Sequence, residues 1–339
     1  MSLHLACQGR AVEALSRLRL SFHHTVASSV QNVTTTLQSD KPGHRVRERQ
    51  FLLKSTPDLK SGYRVSPVPS SNGRKLPERK GMNHTAVDRC RGVLIGLAAG
   101  DRIGGPIRLA VRLAESLLGC GGFNASDVVE RYLRWWRDGA YDTGPVSARA
   151  LELIASGMPI HEATKQVHRE FDGKTAGCNP AHRSPGLSML ATIGDDDLFA
   201  CAMAEARLTH HDPLAGDVAA AVNKLCRALI RGVGWDDALW QCGIVVGLEG
   251  PGSSGGFAKD VFRAAVFFVA TSACFTEALE RSLDFAGAAN YCPVLVGAIA
   301  GARWGISTIP QSSLAHVDIL PRVEATAEML ATGWAKDDG

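Results

Sequence analysis

The sequence has no apolar run near the roughly 18 residues that a membrane-spanning helix needs. Its longest candidate, residues 261–270, is too short and carries Arg263. The nine cysteines contain no C-x-x-C pair and follow no regular spacing. That excludes a disulfide framework and a structural zinc site, and it predicts reduced thiols in an intracellular, cytoplasmic protein. Alternation of apolar and polar residues at a period of two is nearly absent, so little is available to build a sheet. No internal repeat is present. Net charge is also scarce: 37 Lys and Arg face 34 Asp and Glu, a balance of +3.

That small balance hides an asymmetry. Residues 1–81 hold 14 basic and 5 acidic side chains, leaving 23 basic and 29 acidic in the remaining 258. The basic excess therefore belongs to one segment, and the body is mildly acidic. The pI of 8.4 thus gives no reason to expect nucleic acid as a partner, and no membrane partner is expected either.

Residues 1–30 contain Arg10, Arg17 and Arg19 against Glu13, with interspersed leucines. This acid-poor, weakly amphipathic start is compatible with an organelle transit peptide, which would imply import, and it lacks the long apolar core of a secretory signal. Residues 39–80 are rich in Pro, Ser, Gly, Lys and Arg and offer too little apolar surface to offset the entropy of ordering. Residues 1–81 are expected to form a disordered basic extension. The alternatives are a transit peptide or a true start at Met82.

What the body does have is helical period. After Pro106, Ile107, Ala110, Val111, Ala114, Leu117 and Leu118 share one face. Val218, Ala221, Val222, Leu225, Ala228 and Leu229 repeat the spacing behind Asp212-Pro213, a cap followed by a first-turn proline. Residues 293–304 are crowded with Gly297, Ala298, Ala300, Gly301 and Ala302, which let backbones approach closely and predict a central helix. Punctuation places further helices at 126–137, 145–157, 159–171, 195–208, 235–246, 257–270, 275–286 and 315–332. The expected fold class is all-α: a single compact multi-helix domain over residues 82–339.

Without a sheet, groups that act together must be gathered from loops at helix ends. Five such junctions stand out: residues 100–106, 141–145, 177–183, 209–213 and 287–291. Each carries Asp, Asn, His or Arg, and all but residues 209–213 include Gly. Glycines let a ligand approach backbone N–H groups, and helix N-termini favour phosphate. Each junction taken alone is equally a helix stop followed by a cap.

Their order resembles one family. Gly92, Gly96, Ala98, Gly100, Asp101, Gly104 and Pro106 match G-x-x-x-G-x-A-x-G-D-x-x-G-x-P, the opening pattern of the ADP-ribosylglycohydrolases. Tyr141-Asp142-Thr143-Gly144 resembles that family's D-I-G turn, and residues 177–183 its G-N-G-x-x-M-R loop. Thr209-His210-His211-Asp212-Pro213 resembles T-H-x-D/N-P, and residues 285–305 the last signature helix. The resemblance spans residues 88–310 and implies an all-helical hydrolase acting on the C1″ glycosidic bond of an ADP-ribosylated or related nucleotide substrate.

The departures concern metal. The family holds two magnesium ions with T-D-D-T and G-D-T-D-T segments. In this chain Gly105-Pro106 runs directly into Ile107, so the first segment is missing. In the second, Gly287 is kept, but Ala288, Asn290 and Tyr291 stand where the two aspartates and last threonine belong. Magnesium wants hard oxygen ligands, usually carboxylates. The family implies Mg2+, and the segments that would bind it are absent, so no metal ligands are assigned.

By residue-wise resemblance, Asp142 is expected to act as general base or to stabilise a developing oxocarbenium ion, with Asp101 acting beside it. Thr143, Gly144, Asn179, His182, Arg183, His210, Asp212 and Asn290 are expected to hold the ligand, an ADP-ribose-like small molecule or an ADP-ribosylated protein. Arg183 would meet a phosphate or Asp142, and His210 would line the ribose pocket or brace its loop. The competing role for Asp142 is to cap the helix that Pro145 starts. Two other functions remain open: an inactive ADP-ribose-binding pseudoenzyme, and a structural protein like the family's lens crystallins.

Overall fold

The computed structural model describes residues 85–244, 250–316 and 318–335. The expected basic extension lies outside the described residues. Fourteen α-helices are present among the described residues. They are α1 (Ala86–Gly100), α2 (Gly105–Cys120), α3 (Ala125–Arg137), α4 (Pro145–Ala155), α5 (Ile160–Glu170), α6 (Asn179–Arg183) and α7 (Gly186–Met189), followed by α8 (Asp195–Ala206), α9 (Pro213–Ile230), α10 (Trp235–Gln241), α11 (Ala258–Ala270), α12 (Phe275–Ala286), α13 (Cys292–Trp304) and α14 (Leu320–Ala331). The only extended pairing among them is one isolated antiparallel bridge between Gly177 and Phe257. The chain is all-α, and no described helix is long and apolar enough to cross a membrane.

Local chemistry accounts for most of the boundaries. The Asn124 side chain accepts from the N–H groups of Ser126 and Asp127, and Asp212 accepts from Leu214 N–H ahead of Pro213, so α3 and α9 begin where the sequence predicts. Three aspartates lie in the first turn of α8, favourable to its dipole. Two boundaries differ from expectation. The helix predicted over 235–246 ends at Gln241, with Cys242 as its cap. The helix predicted from 315 begins at Leu320, preceded by a 3-10 turn over Gln311–Ser313. The loop predicted over 177–183 contains the one-turn helix α6, too short to show a period.

Helix α13 is buried from Cys292 through Ala302, and its most extensive neighbour is α1. Glycines set their separation. A Cβ on Gly96 would stand 2.1 Å from the Gly297 carbonyl oxygen, and one on Gly301 would stand 1.9 Å from that of Gly92. Larger side chains anywhere along this crossing would drive the two backbones apart. The crossing ends at the loops that carry Asp101, just after α1, and Asn290, just before α13.

Buried polar side chains hold the irregular stretch between α6 and α8. Arg227 on α9 donates to the carbonyls of Leu187, Ser188, Leu190 and Ile193, in and beyond the single turn of α7. Asn223 accepts from Ser188 N–H and donates to Ser184 Oγ. These contacts fix the segment that supports α6.

Candidate active site

Hydrogen bonds link four of the five junctions, and His210 of the remaining one lies beside Gly177. At their centre, Asn290 Nδ2 donates to Asp101 Oδ1 at 2.8 Å and to Asp142 Oδ2 at 2.9 Å. Its Oδ1 accepts from Arg102 N–H at 3.0 Å. That last bond fixes the amide orientation, since the flipped amide would set its oxygen against two carboxylates and its NH2 against an N–H donor. The Arg102 guanidinium donates to the carbonyls of Gly287 and Ala289 and so anchors the Asn290 loop.

Asp101 is 1% exposed. Its Oδ1 accepts from Gly104 N–H at 2.7 Å as well as from Asn290, and its Oδ2 from Ile107 N–H at 2.8 Å. Both oxygens are therefore engaged in closing the short turn into α2. The Asp101 carboxylate, expected to act beside Asp142, anchors this turn and Asn290. His316 Nε2 contacts the Asp101 carbonyl from the far side.

Asp142 differs. It is half-buried, and its φ of 50° is one of two left-handed values among the described non-glycine residues. Such geometry is uncommon outside glycine and collects at functional sites. It is held from beneath by Gly105, where a Cβ would stand 2.4 Å from the Asp142 carbonyl oxygen. Asp142 does not cap α4, whose N-cap is Gly144 without a side-chain bond. Burial pushes its carboxyl above the ordinary range and the Asp101 charge adds to this, while the bonds from Asn290 and Gly105 N–H pull the other way.

Asn179 donates to the Thr143 carbonyl at 2.9 Å and stands over Gly144, where a Cβ would meet its amide at 2.7 Å. Gly177 brings in His210, whose Nε2 would lie 3.2 Å from a Cβ at that position. His210 Nδ1 pairs with Thr209 Oγ1 at 2.8 Å, leaving Nε2 buried and unpartnered among the described residues. The Nε2 of His182 is likewise buried and unpartnered. Burial pushes His182 down to about 3, against the Tyr291 backbone, and pushes His210 well below its usual value, with the Arg183 charge adding to the effect. Both rings are neutral at pH 7.

The structure gives two of the expected ligand residues contacts within the fold. Arg183 is 1% exposed; its Nε donates to Glu205 at 2.5 Å and its guanidinium stacks over Tyr132, whose hydroxyl also donates to Glu205 at 2.8 Å. It thus neutralises an internal carboxylate and underpins α4 through Ser147. The Asp212 side chain is used as the N-cap of α9. Removing Glu205 leaves Arg183 buried and unpaired, so Glu205→Ala is expected to cost about 3–5 kcal/mol of stability by denaturant unfolding. A loss under ~1 kcal/mol would contradict the burial of this pair.

Glu205, Tyr132 and Arg102 are absent from the residues singled out in the sequence. A signal for Glu205 existed: with Leu198, Ala202 and Ala206 it lies on the buried face of α8, an acid at core spacing that requires a buried partner. Arg102 stands inside the opening motif, but its partners lie more than 180 residues away.

Comparison with known proteins places the chain in a family. The family model described as ADP-ribosylglycohydrolase matches residues 82–338. The ADP-ribosyl-[dinitrogen reductase] glycohydrolase of Rhodospirillum rubrum is 23% identical over 279 residues, covering 68% of this chain and 91% of that protein. ADP-ribosylarginine hydrolase Tri1 of Serratia proteamaculans (strain 568) is 25% identical over 296 residues, covering 72% and 79%. A solved structure titled ADP-ribosylglycohydrolase-related protein complex superposes with a TM-score of 0.60 at 26% identity, covering 73% of this chain and 98% of that one. With the motifs in order on an all-helical frame and the family model spanning the whole described region, the chain belongs to the ADP-ribosylglycohydrolase family.

Proposed function

We propose that residues from Met82 onward form a hydrolase that cleaves the C1″ glycosidic bond of an ADP-ribosylated protein or a related nucleotide, without a dinuclear magnesium centre. The observation that carries this is Asp142: a half-buried carboxylate in a left-handed conformation, with its pKa raised, oriented by Asn290 and Gly105. A carboxylate so placed can take a proton from water as it attacks C1″, or stabilise the positive charge that develops as the bond to the leaving group breaks. Asn179, Gly144, Thr143 and the unpartnered Nε2 atoms of His182 and His210 offer neutral polar contacts suited to ribose hydroxyls. Ile103, Tyr141, Phe257 and Tyr291, exposed on the same or adjoining loops, offer surface to the planar part of such a ligand.

One observation favours the second reading, an ADP-ribose-binding pseudoenzyme. Both Asp101 oxygens accept backbone N–H bonds in the turn into α2, which leaves Asp142 as the less enclosed carboxylate for proton transfer. The test is release of ADP-ribose from ADP-ribosylated arginine or serine peptides by the full-length protein, with Asp142→Asn as the control. Turnover lost in that variant supports the hydrolase. Saturable ADP-ribose binding without turnover supports the binder, and neither outcome on any such substrate removes both.

A further inference from the structure

The two carboxylates at the centre are joined by an amide. Asn290 spends both of its N–H bonds on them, at 2.8 Å to Asp101 and 2.9 Å to Asp142, and its oxygen is turned away to Arg102 N–H. Asn290 also stands where the family's second metal-binding segment has an aspartate. A divalent cation would need hard oxygens facing it. Here most of the surrounding oxygens already accept hydrogen bonds. Asp101 is enclosed by the N–H groups of Gly104 and Ile107, and the Gly287 and Ala289 carbonyls accept from Arg102. Among the described residues, no group of three or more His, Cys, Asp and Glu side chains is placed to share a metal ion. These donors do not fit magnesium.

We infer that Asn290 is a positioning residue that replaces the cation, its two amide protons linking Asp101 to Asp142 and Arg102 holding the amide in that orientation. The substitution works because a primary amide is a neutral two-donor fork. It satisfies one oxygen of each carboxylate, as a bridging cation would, but brings no net charge. Arg102 completes the replacement: its guanidinium occupies the Gly287 and Ala289 carbonyls, and its N–H excludes the flipped amide. The inference deepens the proposed hydrolase and rests on the same cluster being its reaction centre.

Calorimetric titration of the full-length protein with MgCl2 and MnCl2 tests it. The wild type is expected to give no saturable heat. Asn290→Asp removes both N–H donors and adds a third carboxylate, and it is expected to bind Mn2+ at least about tenfold more tightly than the wild type, since affinity follows ligand charge. The gain should vanish when Asp142→Asn is added. Saturable binding by the wild type that is lost on Asp142→Asn would overturn the inference, as would a folded Asn290→Asp that binds no better.

Should Asn290→Asp fail to fold, a double-mutant cycle of Asn290→Ala with Asp142→Asn decides the point. Their effects on melting should be non-additive, because the side chains are bonded directly; additive effects would overturn the bridge. Neither measurement needs turnover. A variant that gains metal in a protein releasing no ADP-ribose defeats the hydrolase proposal and leaves the bridge standing, and wild-type metal binding with turnover defeats the bridge and leaves a hydrolase that uses metal.

Discussion

Asp142→Asn is expected to lower the hydrolysis rate by about 10²–10⁴-fold, the usual contribution of a positioned general base. Asparagine keeps the size of the side chain and tolerates the left-handed backbone that alanine would strain, so the loss reports the missing carboxylate. The wild-type rate should rise with pH along a limb centred above 3.8, the ordinary aspartate value, because burial raises the Asp142 pKa and the base must be ionised. Stability should move the other way. An acid whose folded pKa is raised contributes stability that is complete below the unfolded pKa and is lost as pH rises through the folded one. Asp142→Asn should therefore melt higher than the wild type at neutral pH, with the gain shrinking as pH falls toward 3.8. An unchanged rate, or a gain in melting temperature that persists in acid, would contradict the role given to this carboxylate.

Gly297→Ala is expected to cost more than about 3 kcal/mol, beyond the ordinary range for overpacking. The added methyl would lie 2.0 Å from the Gly96 carbonyl oxygen, and that atom belongs to a helix backbone with no side chain to rotate away. The damage should reach the site. A Cβ on Gly100 would stand 2.0 Å from the Pro293 carbonyl oxygen. Gly100 precedes Asp101, and Pro293 lies three residues beyond Asn290, so Gly100→Ala should separate the carboxylate from its amide before the whole domain fails. Gly119 is the control. It is helical and exposed, and the nearest atom to a Cβ there is 3.6 Å away, so Gly119→Ala should be stabilising by about 0.5–1 kcal/mol. Equal tolerance at Gly297 and Gly119, measured by urea unfolding, would contradict the close crossing of α1 and α13.

The frame was legible where the signal is local. Prolines 145 and 213, the Asn124 cap and the small residues of α13 act within a turn or two of themselves, so most helix starts follow from the sequence. The stretch from α6 to α8 did not, because Arg227 and Asn223 hold it from α9, more than 30 residues away. The site divides in the same way. Order and spacing of the motifs named Asp142, Asn179 and Asn290, all of which the structure joins in one network of contacts. What each side chain does there depends on partners set by the fold. Arg183 is claimed by Glu205, Asp101 by the backbone of its own turn, and Asn290 by Arg102 from 188 residues away. A carboxylate motif indicates where charge gathers; only its bonded neighbours determine whether that charge is free to react.

The central claim is that an amide-bridged Asp142 hydrolyses the ribosyl bond without a divalent cation. The most direct measurement is the rate of ADP-ribose release from an ADP-ribosylated peptide by the full-length protein in EDTA and in magnesium. Equal rates are expected in the two, both abolished by Asp142→Asn. A rate that disappears in EDTA and returns with magnesium would contradict that claim.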